Sequence, residues 1–154
     1  MVMAFQTDPI VPPYFLTTDH RQRCLAQLRS KSPGLEQYIY LSGLKERDPN
    51  TFYEVLLGNM LEIIPILYTP TVGDACSKYS HIWRRPEGLY VSIEHKGRIR
   101  DVLKTWHSSA ASRIAVVTDG SRILGLGDLG ANGLPISIGK LYVPVRSMIS
   151  STVS

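Results

Sequence analysis

Cysteine is scarce in this sequence: Cys24 and Cys76 are the only two, and they stand far apart. Two isolated thiols build neither a zinc framework nor a disulfide scaffold, and both suit a reducing compartment. Long apolar runs are missing as well. No stretch approaches the ~18 consecutive apolar residues of a membrane span, so no membrane partner is expected. The first residues, Met1-Val2-Met3-Ala4-Phe5, carry no basic start and are soon interrupted by Asp8, Pro9, Pro12 and Pro13, unlike a secretory signal. No arginine precedes Arg21, which weighs against a mitochondrial presequence. The cytoplasm is the expected location, with the mitochondrion as the alternative for an already processed chain. Acidic residues stop at Asp128, while Lys140 and Arg146 follow it.

What is present suits one globular domain. The 154 residues are enough for a real core and too few for a substrate domain plus a separate dinucleotide domain. An apolar share of 44% against a charged share of 19% excludes the composition of a disordered chain. The net charge of +4, from 17 Lys plus Arg against 13 Asp plus Glu, does not choose between a nucleic acid and a small dicarboxylate as partner.

Residues 1–18 have no sustained period and read as an extended N-terminal arm. Asp19 can cap a helix through Gln22, Leu25 and Leu28 to about Ser30, where Ser32-Pro33-Gly34 breaks it. Leu35, Ile39, Leu41 and Leu44 predict a second helix over about 33–44, paired with the first. After Asn50, the spacing of Phe52, Leu56, Met60, Ile63 and Leu67 predicts a long helix that delivers Tyr68. Thr69 can then cap a new helix over 71–82, with Pro70 at its first position. From Gly88 the pattern changes: 89–93 and 113–118 read as strands, 99–106 as a short helix, and Asp119-Gly120 as a two-residue hairpin turn before Arg122-Ile123-Leu124. Five glycines between Gly125 and Gly139 lead to a weak helix around 136–142. The expected fold class is therefore α/β, with helices first and the opening strands of an incomplete domain after them.

Three blocks occur in order: Tyr68-Thr69-Pro70-Thr71-Val72-Gly73, then TDGSRILGLGDLG from Thr118 to Gly130, then Gly139-Lys140-Leu141. Together they resemble the N-terminal half of a malic enzyme, over roughly Arg21 to Tyr142. The resemblance implies a partial substrate domain at 19–142 and a divergent tail at 143–154. It also implies an activity, the oxidative decarboxylation of malate to pyruvate with NAD or NADP and Mg²⁺ or Mn²⁺. In the family the metal-holding acids and the nucleotide domain come later, so no metal ligand is expected here, and the chain reads as a truncated form without turnover of its own.

Taken alone, one tyrosine among eight is ordinarily a core or surface aromatic. The resemblance makes Tyr68 the general acid, a phenol that returns a proton to the carbon of the pyruvate enol. Lys140, by itself a solvated lysine near the chain end, becomes the general base at the malate hydroxyl. Arg122, otherwise a surface cation, becomes the carboxylate anchor, its planar fork suited to a diacid, and the candidate contact to the cofactor. Arg47 matches a position that in some animal members helps to bind an activating dicarboxylate.

Gly125-Leu126-Gly127-Asp128-Leu129-Gly130 satisfies G-x-G-x-x-G, the glycine fingerprint of dinucleotide sites. That signature also wants an acid about 20 residues later for the ribose, and none follows Asp128; the loop is read as a substrate-side element, and Asp119 and Asp128 as turn residues. Lys78, His81, Arg84 and Arg85 with Tyr79 and Trp83 could form a stacking nucleic-acid patch, but fit a helix end better, and no nucleic acid is expected. Malate or pyruvate and further subunits of the same kind are the expected partners. The rival reading is a non-catalytic protein that oligomerises with full-length malic enzyme.

Overall fold

The computed structural model describes residues 19–106 and 114–150. The expected N-terminal arm and the start of the 113–118 strand lie outside them. Helix α1 (His20–Arg29) begins where Asp19 Oδ1 accepts from the Arg21 N–H at 3.1 Å. Helix α2 (Leu35–Arg47) runs past the expected end at Leu44, since Lys45, Glu46 and Arg47 are good helix formers. It stops at Asp48, which precedes a proline and so disfavours helical backbone. The same Asp48 opens α3 (Pro49–Gly58), accepting from the Thr51 N–H at 3.1 Å.

The single helix expected through Leu67 is two. Helix α4 (Met60–Leu67) follows α3 across Asn59, with a bend of 118° between Pro49–Gly58 and the helical run that begins at Met60. Gly58 and Asn59 are poor helix residues, and the Asn59 side chain donates to the Val55 carbonyl at 3.1 Å, closing α3. The apolar spacing carries on through the break because both helices face one core: Phe52 and Leu56 from α3, Ile63 and Leu67 from α4. The helix expected over 71–82 is likewise divided, into α5 (Thr71–Ser77) and α6 (Tyr79–Ile82).

The expected strands do not form: among the described residues there is no strand, and the observed architecture is helical rather than α/β. Residues 89–92 take no regular structure, and Ile93 enters a short 3₁₀ turn, Ile93–His95. Residues 114–118 are also irregular, with Val117 91% exposed. A strand needs a ladder partner for its N–H and C=O groups, and none stands beside these segments among the described residues. The hairpin at Asp119-Gly120 fails for a local reason. The Ser121 N–H that would close it is held by Asp119 Oδ1 at 3.0 Å, and the Gly120 N–H by Thr118 Oγ1 at 3.0 Å.

Helix α7 (Ile99–Lys104) sits where a helix was expected, and α8 (Leu134–Ser150) extends well beyond the expected 136–142 at both ends. Pro135 lies in its first turn, where a missing N–H costs nothing. Helix α8 packs on α4 and α5 and delivers Ile138 and Tyr142 to the core. Phe52 lies at the centre, fully buried, with Tyr53 edge-on at 5.2 Å and Tyr142 tilted at 5.8 Å between ring centres.

Candidate active site

Tyr68 occupies the corner between α4 and α5, and its backbone is held from both sides. Its N–H donates to the Ile64 carbonyl at 2.8 Å, closing α4, and its carbonyl accepts from the Val72 N–H at 2.8 Å, opening α5. The expected Thr69 cap is corrected here. Pro70, after a cis peptide bond, takes the capping position, no side chain caps the helix, and the Tyr68 carbonyl does that work instead. The Tyr68 ring is half-buried and rests on α8 at Gly139.

Lys140 is exposed on α8, and its Nζ donates to Tyr68 Oη at 3.0 Å. The same nitrogen is 5.5 Å from the ring centre. The phenol oxygen already stands about half that far from the centre, so the amine lies off the hydroxyl end of the ring rather than above its face. A cation–π contact needs the face; the interaction is a hydrogen bond.

Arg122 stands in a loop that folds back on itself. The Gly120 carbonyl accepts from Leu129 at 2.9 Å and from Gly130 at 3.2 Å, and the Ile123 N–H donates to the Gly127 carbonyl at 2.7 Å. Gly120 has φ +71°, and a Cβ there would run into the Gly130 carbonyl, so this crossing requires glycine. Ile123 is buried and anchors the loop against Gly133, while Leu126 lies against Gly73 of α5. Arg122 itself is exposed and has no hydrogen bond or ion pair among the described residues. The fold thus joins Tyr68 to Lys140 and docks the Arg122 loop on the helix that follows Tyr68, without a direct contact from Arg122 to either.

The glycine fingerprint does not form a phosphate cradle. Among the described residues no strand precedes it, and the N–H groups of Leu126, Leu129 and Gly130 are already donated inside the loop. Asp119 and Asp128 each turn a carboxylate oxygen to the N–H two residues on. Those hydrogen bonds from Ser121, backbone first, hold the Asp119 carboxyl below its usual range. Among the described residues no three His, Cys, Asp or Glu side chains group closely enough for a metal ion. The described residues therefore form neither a phosphate cradle at the glycine loop nor a divalent-ion site.

The Arg47 guanidinium lies over Gly43 beside that of Arg84. In the basic cluster Tyr79 is buried and Arg85 is paired with Glu46 at 3.3 Å, so these side chains do not present a stacked platform. A cleft of about 360 Å³ lies elsewhere, between Tyr38, Lys45, Tyr53, Trp83, Arg85 and Glu87. It includes neither Tyr68 nor Lys140. Lys45 at its edge bonds Glu87 at 3.2 Å, a long-range pair that nothing in the sequence announced.

The profile of the malic enzyme N-terminal domain matches residues 45–147. The chain belongs to the malic enzyme family. NADP-dependent malic enzymes 3 and 2 of Arabidopsis thaliana are each 47% identical to it over 133 residues, which are 86% of this chain and 22% of theirs. The NADP-dependent malic enzyme of Phaseolus vulgaris is 46% identical over the same share of each. The chain thus spans about a fifth of the length of the malic enzymes it matches. Sequence reasoning missed the seat of the Tyr68 ring on Gly139, although Gly139 next to Lys140 inside an apolar run was a signal for close packing.

Proposed function

We propose that this chain is the proton-handling part of an NADP-dependent malic enzyme, with Tyr68 as general acid, Lys140 as general base and Arg122 as anchor for a malate carboxylate. The observation that carries the reading is the 3.0 Å hydrogen bond from Lys140 Nζ to Tyr68 Oη. In the reaction the malate C2 hydroxyl loses a proton to the neutral Lys140 amine, and a nicotinamide cofactor held by the rest of the enzyme would take the C2 hydride, leaving C2 as a ketone. After CO₂ departs, the electron pair of the broken carbon–carbon bond rests on the enolate of pyruvate, and the Tyr68 phenol gives its proton to C3. The Lys140 ammonium then returns a proton to the Tyr68 oxygen along the observed hydrogen bond, so both groups end as they began. The described residues form neither a phosphate cradle nor an acid cluster for a metal, and no step through those groups is assigned to this chain. NAD in place of NADP is the alternative for the hydride acceptor, and a contact from Arg122 to it belongs to the same proposal.

The 154 residues alone are proposed to lack turnover; the support is the absence, among the described residues, of an acid cluster for Mg²⁺ or Mn²⁺. Pyruvate formation from malate, Mn²⁺ and NADP by this polypeptide would refute that. The site assignment is tested separately by saturation-transfer NMR between the chain and malate. Contact is expected and should be lost in Arg122→Ala; no contact in the parent chain sinks the reading.

A second reading rests on the two guanidiniums over Gly43. Arg47 and Arg84 have no carboxylate partner among the described residues, which supports a regulatory dicarboxylate at Arg47. Assembly with itself or with full-length malic enzyme is proposed as well; the exposed Tyr90, Val91 and Ile93 are compatible with a covered surface. Two free, buried thiols are compatible with the cytoplasm as its location, and with the mitochondrion as the alternative.

A further inference from the structure

Gly139 lies inside a 17-residue helix, where alanine would serve the helix better. Its surroundings account for the glycine. A Cβ at this position would fall 2.7 Å from Tyr68 Cδ2, 3.5 Å from Tyr68 Cγ and 3.0 Å from the Leu67 carbonyl oxygen. None of these atoms can retreat cheaply. Cδ2 and Cγ belong to the rigid inner end of the ring, and the Tyr68 backbone is tied to Ile64 and Val72. The Leu67 carbonyl is backbone, in the last turn of α4. A single methyl group would therefore lift the ring away from α8, and the phenol oxygen with it.

Lys140 is the next residue on the same helix. Its amine reaches the phenol from the side and meets the oxygen at the hydroxyl end of the ring. The reach of a lysine is adjustable, but the height of the ring above α8 is not, because two backbone hydrogen bonds and the Gly139 surface set it. We propose that Gly139 is the positioning residue of the pair: the space left by its missing Cβ seats the Tyr68 ring where the phenol oxygen meets the Lys140 amine. Its importance for catalysis rests on the acid–base reading above, whereas the positioning itself is a statement about geometry.

The test uses 1,5-difluoro-2,4-dinitrobenzene, a short reagent that bridges an amine and a phenol only when they are close, on the full 154-residue chain. Mass spectrometry of the linked peptides is expected to find Lys140 joined to Tyr68. Gly139→Ala should lower the yield of that bridge several-fold, while Leu28→Val, which weakens the core under α1 and away from α8, should leave it unchanged at matched helix content. Absence of the bridge in the parent chain, or full retention in Gly139→Ala, overturns the proposal. If Gly139→Ala does not fold, the decision passes to the Tyr68→Ala background, where the ring is gone. There Gly139→Ala should be tolerated and the doubly substituted chain should regain a cooperative urea transition, whereas a double variant that also fails to fold overturns it. Should the bridge behave as expected while malate makes no contact, the positioning stands and the acid–base reading falls.

Discussion

Lys140 and Tyr68 are 72 positions apart in the chain and 3.0 Å apart in the fold, amine to phenol oxygen. The contact joins α8 to the corner between α4 and α5. It needs the corner to hold the tyrosine and the helix to bring the lysine, so neither element alone creates it. Proton transfer requires such reach, roughly 2.6–3.2 Å between heavy atoms.

That geometry leads to a kinetic expectation. When residues 19–142 replace the matching segment of the Arabidopsis malic enzyme 3, malate turnover should persist. Tyr68→Phe or Lys140→Ala in that chimera should then lower kcat by roughly 10²–10⁴-fold, with a smaller effect on KM. A loss confined to KM would assign the pair to binding.

Phe52 makes the core prediction. It is fully buried and touches the rings of Tyr53 and Tyr142, so Phe52→Ala should cost about 3–5 kcal/mol. Urea unfolding followed by circular dichroism measures this, and Tyr53→Ala, at an exposed position, should cost far less.

Arg29 and Glu62 make the pH prediction. The guanidinium grips both carboxylate oxygens, at 2.9 and 2.7 Å, tying α1 to α4. The side-chain hydrogen bond from Arg29, and then its charge, hold the Glu62 carboxyl below the usual range. A depressed carboxylate contributes stability above its unfolded pKa of about 4.3 and loses it as pH falls through the lower folded value. The urea midpoint of the parent chain should therefore exceed that of Glu62→Gln near neutrality, and the two should converge under acid. The pair is half-exposed, so the difference should also shrink in high salt.

Cys76 is fully buried beneath α8, and burial pushes its thiol up, against a smaller opposing hydrogen bond from the Ile136 backbone. Cys24 is buried under α1. Both should resist a disulfide reagent at neutral pH until urea opens the chain. Rapid labelling of Cys76 in the native chain would place α8 off the core.

Helix positions were legible wherever local chemistry closes a helix end: Asp19 before α1, and the tyrosine corner after Leu67. The division of the long helix at Asn59 was not, because one apolar spacing serves two helices that face one core. The strands at 89–93 and 113–118 were misread because their composition suits a strand, while strand formation depends on a partner that composition does not reveal. At Asp119-Gly120 a short-range hairpin signal met a shorter-range competitor, the Asp119 carboxylate capturing the Ser121 N–H.

The order of residues by itself determined the family, because three blocks carry it, and determined which amine, phenol and guanidinium to examine. It could not determine that Lys140 meets Tyr68 while Arg122 stays free of both among the described residues. Long-range contact is decided by how α8 lies on the α4–α5 corner, and that angle is set by packing, including the room that Gly139 leaves for the Tyr68 ring.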